Sequence, residues 1–410
     1  MAQTLSAISS VLDKYIIPAR NLINQASVLW NRLEKTAKKF KIDKKAGRVA
    51  WTPIVALNER GVGARKEEAA LPTPDKLSYA QPYLDLSYHY GRLKVTGPAY
   101  EAGVIEGRGE TWRDEVEAVA RTIKENVARQ LFGDGSGKLA QCIGAGNNAT
   151  TVTVNTTRNL RKNMYIDIYD GDTQKVDSVK ITAVDKANNQ ITISAASTWT
   201  DGSYIYREDS KDAEMTGLLA AIDDGTFASS YAHLSRATYD VWKSPVKIVN
   251  YSELDEEAIN ELLDEIDTNG ADPKIDLIVG PHRFVRGLRK YYKDKSYPEN
   301  YMELNLGHRG LIYDTPKWGA VPVIADKYCG GYITEIENVG QVDIVYFLDT
   351  STLKIAWTHN FDWARGPNGE IVIDTKAVGS DYDYKMATMY AYLQLVCTAP
   401  NNNGVLILVK

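Results

Sequence analysis

This sequence is short of the residues that most enzymatic and metal chemistry needs. Its 410 residues include three cysteines and five histidines. Cys142, Cys329 and Cys397 are scattered, odd in number and without metal spacing. They argue against a disulfide framework or a zinc site and for a reducing compartment. His89, His233, His282, His308 and His359 stand far apart, with no HExxH or HxH pattern, and no G-x-S-x-G elbow occurs. No run of about 18 apolar residues is present, which excludes a transmembrane helix. The opening MAQTLSAISSVLDKY lacks the basic-then-apolar order of a signal peptide. Phenylalanine is scarce, at 6 against 25 tyrosines. Phe suits dry cores, whereas Tyr suits surfaces that become half-buried against a partner.

The two nearest approaches to a chemical motif both fail. GDGSGK (133–138) lacks the P-loop spacing, puts Leu139 where a hydroxyl should hold magnesium, and follows a helix instead of a strand. The acidic run from Glu265 to Asp276 imitates a calcium loop, but Pro273 interrupts it and KIDLIVG (274–280) reads as a strand. We expect no catalytic residue, cofactor or metal ligand. A net charge of −5 argues against nucleic-acid binding as the main role. The charge is uneven, because residues 32–48 carry eight Lys or Arg against Glu34 and Asp43. Lys35, Lys38, Lys39, Lys41, Lys44 and Lys45 form either a solvated helix end or a basic stripe toward nucleic acid or an acidic neighbour.

The periodicities predict an α+β chain. Residues 1–47 read as a helical arm, broken at Pro18, whose second helix places Leu22, Ala26, Leu29, Leu33 and Phe40 near one stripe. That stripe fits either the chain's own core or a neighbouring copy. Residues 48–97 read as one Tyr-rich hairpin, with Arg48–Asn58 as its first strand. In its second strand Leu84, Leu86, Tyr88 and Tyr90 are expected on one face, and Asp85, Ser87 and His89 on the other. The tip holds Glu59, Glu67, Glu68 and Asp75 against Arg60, Arg65, Lys66 and Lys76. Such balanced charge suits docking onto a neighbour or a solvated loop. Trp112, Val116, Val119, Ile123, Val127 and Leu131 then define a helix of about 30 Å, with Gly133 as its stop.

Between 148 and 207 short alternating runs separated by turn signals predict a small all-β barrel or sandwich. An acidic helix capped by Ser252, the strand KIDLIVG and a helix from Pro281 follow, and the C-terminal stretch is strand-rich. The expected division is 1–47 arm, 48–105 hairpin and start of a peripheral region, 106–147 long helix and connection, 148–207 β-insert, 208–345 a second α/β region, and 346–410 return strands.

The order of these pieces resembles the major capsid protein of tailed bacteriophages, the HK97-like fold family. GVGARKEEAALP (61–72) looks like its extension loop (E-loop). YGRLKVTGPAYEAG (90–103) and ARQLFGDGSGKLAQ (128–141) look like the region of its spine helix. MTGLLAAIDDGTFASSYAHLSRATYDVWKS (215–244) is similar to its lead into the axial domain, and NFDWARGPNGEIVI to the return through the peripheral domain. The resemblance implies peripheral and axial domains, an N-terminal arm, an E-loop and an inserted β-domain. It implies an icosahedral shell of pentamers and hexamers around double-stranded DNA. Scaffold, portal and decoration proteins would be further partners. The location would be the virion capsid, reached through the host cytoplasm, with no membrane partner. Members of the family that begin with an internal scaffold segment differ from this chain, which reaches its hairpin by residue 48. Two rivals are a cellular shell of the same fold that encloses enzymes and a Tyr-rich carbohydrate-binding or carbohydrate-active protein.

Overall fold

The computed structural model describes residues 27–35, 41–43, 47–51, 54–56, 62–67, 69–73, 78–98, 110–294, 301–304, 308–329, 335–336, 340–365, 371, 373–374 and 383–409. The fold is built on two sheets that share a core, a long helix, and a β-barrel.

The larger sheet grows from short, almost wholly apolar segments. Leu277–Gly280, paired with parallel Gly319–Ala325 and antiparallel Gly340–Leu348, is buried along its whole length because both faces are covered, Leu277 and Val279 by the main core and Ile278 by the helix side. The strand order is Val246–Asn250, Gly404–Val409, Gly340–Leu348, Leu277–Gly280, Gly319–Ala325, His308–Thr315 and Tyr301–Leu304, with Glu335–Ile336 pairing off this path. Val345, Phe347, Leu406 and Leu408 pack against the helices Glu256–Asn269 and His282–Asp294. Ile344, Tyr346, Val405 and Ile407 face the main core instead, as the period of two requires. The first of these helices is capped by Asp255, whose carboxylate accepts from the Ala258 N–H at 2.8 Å, and not by Ser252. A charged acceptor beside two further acidic residues in the first turn suits the helix dipole.

The boundary expected at 345 falls inside the strand Gly340–Leu348. The chain turns from one sheet to the other at Asp349, whose carboxylate takes the Ser351 N–H and hydroxyl.

In the smaller sheet Tyr384–Cys397 is central. Ser87–Thr96 lies antiparallel on one edge, and Leu353–Trp363 with Ile373–Asp374 on the other. Glu34–Lys35 adds a parallel rung outside Leu353–Trp363. The expected helical arm is therefore corrected within the described part. The helix is only Val28–Arg32, Leu33 is already extended, and Glu34–Lys35 and Lys41–Asp43 are strands. Leu29, Trp30 and Leu33 are buried in the chain's own core, so sheet pairing and local burial prevail over helical periodicity here.

The long helix Glu110–Gln130 crosses the smaller sheet. Val116, Ala120, Ile123 and Val127 form its buried stripe. It lies close because Gly91 carries no side chain: a Cβ there would sit 2.5 Å from Ile123 Cδ1 and 2.8 Å from Val119 Cγ1. The helix stops without a left-handed Gly133; the left-handed residues are Gly135 (φ 91) and Gly137 (φ 83) in the turn beyond.

One expectation reverses in the strand beside this helix. Leu84 and Leu86 are buried, but from Ser87 onward the phase changes, so Ser87 and His89 are buried and Tyr88 and Tyr90 are exposed. The break is at Leu86, outside either strand, where the chain leaves the hairpin for the sheet; its N–H is held by the Gly47 carbonyl at 2.7 Å. A one-residue irregularity turns every later side chain to the other face.

Buried His89 donates from Nε2 to Ser87 Oγ at 2.7 Å, and the Ser87 hydroxyl passes its own hydrogen to the Leu393 carbonyl at 3.2 Å. The ring carries that N–H in either charge state, but burial, with Arg129 nearby, disfavours the cation and lowers the pKa to about 4 from the ordinary 6.5. Between those values the unfolded chain holds a proton that the folded chain does not. Stability therefore falls as pH drops through this window, by up to about 3 kcal/mol from this residue alone. Urea unfolding of wild type and His89→Gln across the window checks this: the variant should lose less stability on acidification.

The expected β-insert is a closed six-stranded barrel. Its antiparallel order is Lys138–Gln141, Tyr204–Arg207, Tyr165–Asp170, Thr173–Asp185, Gln190–Trp199 and Gly146–Thr153. A bridge between Cys142 and Val154 returns the last strand to the first, flanked by the bonds Ile143 N–H to Thr153 O and Asn155 N–H to Gln141 O. Ile166, Ile168, Ile181, Ile191, Ile193, Trp199 and Ile205 fill it. Its first strand lies upstream of 148, where four residues and a neighbouring helix end hide the alternation. All three cysteines are buried, and burial raises each thiol's pKa, to about 12 for Cys142 and Cys397 and well above the ordinary value for Cys329.

Candidate inter-subunit interface

The hairpin is a thin ribbon. Arg48–Ala50 pairs antiparallel with Tyr83–Asp85, and Ile54–Ala56 with Ser78–Tyr79. Trp51, between the two pairings, is outside both strands, so Arg48–Asn58 is not one continuous strand. A two-stranded ribbon gains little stability by itself in water; at its root this one gains a third strand, since Lys41–Asp43 pairs with Arg48–Ala50, and it is anchored there to the rest of the chain. Trp51 stacks on Trp242 with centroids 6.3 Å apart, and Tyr83 stacks on His233 at 4.0 Å. The Tyr83 N–H also bonds to the Ala232 carbonyl. Arg48 adds an exposed ion pair to Asp85 at 2.9 Å, where solvent screening leaves little net gain.

The root rests on a loop that is under strain. Ala232 (φ 52) and His233 (φ 62) join Ser230–Tyr231 to Leu234–Ser235 in the left-handed region, where Asn or Gly would be usual. Arg236 holds the loop. It is 1% exposed, and its guanidinium donates to four main-chain carbonyls: Ala220 and Ala228 at 2.6 Å, Ala221 and Trp242 at 3.2 Å. Asp223 closes the other end by accepting from the N–H groups of Gly225, Phe227 and Ala228.

The tip is bare. Val62 is 80% and Leu71 87% exposed, and Arg65, Lys66 and Glu67 are exposed beside them. The other tip residues singled out from the sequence, Glu59, Arg60, Glu68, Asp75 and Lys76, lie outside the described residues. Of the basic stripe, Lys35 lies in the strand Glu34–Lys35 and Lys41 in Lys41–Asp43. Lys38, Lys39, Lys44 and Lys45 lie outside the described residues. The stripe is thus not a helix end where it can be seen.

A second open surface was hidden by the phase change at Leu86. On the sheet face away from the long helix, Tyr88 pairs with Tyr392 and Tyr90 with Tyr390 across two strands. Tyr88 and Tyr392 meet edge to face at 4.9 Å, and His359 meets Tyr390 and Tyr392 at 5.6 and 5.2 Å. Tyr88 is 51% and Tyr90 59% exposed. Farther along the same strands Lys94 lies over the Tyr384 ring at 4.0 Å, and Arg92 donates to Met386 Sδ at 3.2 Å. Tyr, Arg and Met are the side chains that contact surfaces favour. Tyrosine abundance was the available sequence signal; the register was not. Among the described residues no helix is long and apolar enough to cross a membrane.

No family model matches the chain, and no curated protein matches it. Among solved structures it is similar to the capsid asymmetric unit of Cyanophage A-1(L), with a TM-score of 0.49 and 14% identity over 92% of this chain and 90% of that one. It is similar to the capsid of a native GTA particle, with a TM-score of 0.47 and 10% identity over 94% and 91%. It is also similar to the holo-SrpI encapsulin complex from Synechococcus elongatus PCC 7942, with a TM-score of 0.47 and 9% identity over 93% and 88%.

Proposed function

We propose that this chain is a structural subunit that assembles with many copies of itself into an icosahedral phage capsid around double-stranded DNA. One observation carries the reading: a hairpin rooted by stacked aromatics ends in a tip whose Val62 and Leu71 are 80% and 87% exposed. A monomer gains nothing by holding apolar side chains at the end of a thin ribbon. A neighbouring copy that covers them does gain.

In this reading the hairpin is the E-loop, the smaller sheet and long helix form the peripheral domain, the larger sheet forms the axial domain, and the barrel is the inserted domain. Each subunit lays its tip on a neighbour, and axial domains meet around five-fold and six-fold positions. Heterologous contacts of this kind close into shells, and several weak ones act together on each subunit. The segment 32–48 faces the packaged DNA, which is held without sequence readout. A scaffold, a portal and decoration proteins complete the particle, which is assembled in the host cytoplasm. The role is structural and uses no catalysis.

Sedimentation and electron microscopy of the purified chain test this. Closed shells whose DNA survives nuclease treatment are the expected result. A monomer at every concentration would overturn the reading. Shells filled with protein instead of nucleic acid would favour a cellular compartment.

A further inference from the structure

The barrel, the long helix and the larger sheet meet around a cavity of about 220 Å³. The helix contributes Glu125 and Arg129, the barrel Asn159, Arg161 and Arg207, and the larger sheet's Asp326–Cys329 turn contributes Tyr328. The charge is lopsided, because Arg129, Arg161, Lys162 and Arg207 line a space where the cation partners are Glu125 and Glu214. Arg129 is paired with Glu214, and Arg161 with Glu125. The Arg207 guanidinium has no direct hydrogen-bond or ion-pair partner among the described residues, and burial with Arg129 nearby lowers its pKa. Glu214 and Glu208 favour its charged form without reaching ion-pair distance, so a closer acceptor would stabilise this half-buried guanidinium further.

Two neutral groups point to the same vacancy in the bonding. Asn159 and Tyr328 are each 8% exposed; the Asn159 amide nitrogen has no hydrogen-bond partner among the described residues, and the Tyr328 hydroxyl lies against the Arg161 guanidinium, a donor, which leaves its own O–H without an acceptor there. Native interiors rarely leave such groups unmet. An amide N–H, a phenol O–H and a guanidinium are all donors, so their shared complement is an acceptor that carries negative charge. At about 30 Å³ per water, the volume admits a tetrahedral oxyanion with a few waters.

We infer that this cavity binds a small oxyanion of the phosphate or sulfate class, with Arg207, Arg161, Asn159 and Tyr328 as its donors. The ion ties three parts of the fold together and fixes the attitude of the barrel on the long helix. It adds to the contacts that already join these parts, among them the Arg161–Glu125 pair, the longer Lys327–Glu125 pair at 3.7 Å, the Arg158 bond to the Lys327 carbonyl and, where the chain leaves the barrel, the Arg129–Glu214 pair.

Titration calorimetry of the purified full chain with inorganic phosphate, in chloride buffer of matched ionic strength, tests the assignment. Saturable binding is expected, together with a higher melting temperature in phosphate. Arg207→Gln should weaken binding at least about tenfold, the loss of a charge-assisted bond. Its melting point without phosphate should be unchanged or higher, since an unpaired charge is removed. Asn159→Asp places a carboxylate where the ion would sit and should abolish phosphate binding while the fold is retained. Absence of saturable binding, or wild-type affinity in both variants, would overturn the site. Competition by duplex DNA at equal phosphate concentration would overturn the assignment to a free ion.

Discussion

If the chain assembles as proposed, deleting residues 59–76 yields a protein that folds but does not form shells. Folding survives because the root of the hairpin lies outside the deletion: Arg48–Ala50 still pairs with Tyr83–Asp85, and Trp51 and Tyr83 keep their stacks on Trp242 and His233. Assembly does not survive because the exposed Val62 and Leu71 go with the tip. Burying each of those side chains on a neighbour would contribute about 1.5–3 kcal/mol. Since about 1.4 kcal/mol is tenfold in an equilibrium constant, their loss raises the concentration at which shells appear by at least about a hundredfold. The measurement pairs an unfolding curve with sedimentation over a wide concentration range. Normal shells from the deleted chain would show that the tip is not an interface. The point variant Leu71→Ser gives the same answer with less disturbance, since it changes no described contact within the subunit.

Replacing Arg236 by Met has the largest expected effect on the subunit itself. The buried guanidinium serves four carbonyls at once, and no apolar side chain can serve any of them. Each buried carbonyl left without a donor costs about 1–3 kcal/mol. Some regain water as the loop loosens, so a net loss of about 4 kcal/mol or more is expected, in the range seen when one member of a buried polar pair is removed. Arg236→Lys rescues little, because an ammonium lacks the planar fork. Damage should begin at 223–244 and spread to the hairpin root, because Ala232 and His233 are held left-handed only while that loop is closed. Limited proteolysis locates the first cuts and urea unfolding gives the size. Wild-type stability in Arg236→Met would mean that the four carbonyls find other donors.

Which parts of the fold could be read from the chain alone depends on whether a local period or a distant pairing sets them. The long helix was legible because Val116, Ile123 and Val127 recur at helical spacing and meet one sheet. The barrel was legible because each run alternates between definite turns, except for Lys138–Gln141, which is too short to show a period. The sides of the strand after Leu86 were not legible. Their phase depends on how Ser87–Thr96 pairs with Tyr384–Cys397, some three hundred residues away, and a single unpaired residue reverses it. The arm misled because Leu29 and Leu33 suit a helix equally well in solution and against a sheet. Of the candidate interface, the charged tip was visible as a hairpin turn, whereas the tyrosine face was not. Arg236 lay in the stretch that most resembled the capsid family, yet nothing local distinguishes it from a surface arginine. Its role comes from the carbonyls that the folded loop turns toward it.

The burial of Cys142, Cys329 and Cys397 makes the subunit chemically quiet. Each sulfur is enclosed and held as the unreactive thiol, so maleimides and mild oxidants pass it by. A thiol introduced at the exposed tip, as in Ala70→Cys, would then be the lone handle on the molecule. A dye or a photo-crosslinker fixed there would report directly on whichever surface the hairpin comes to rest against.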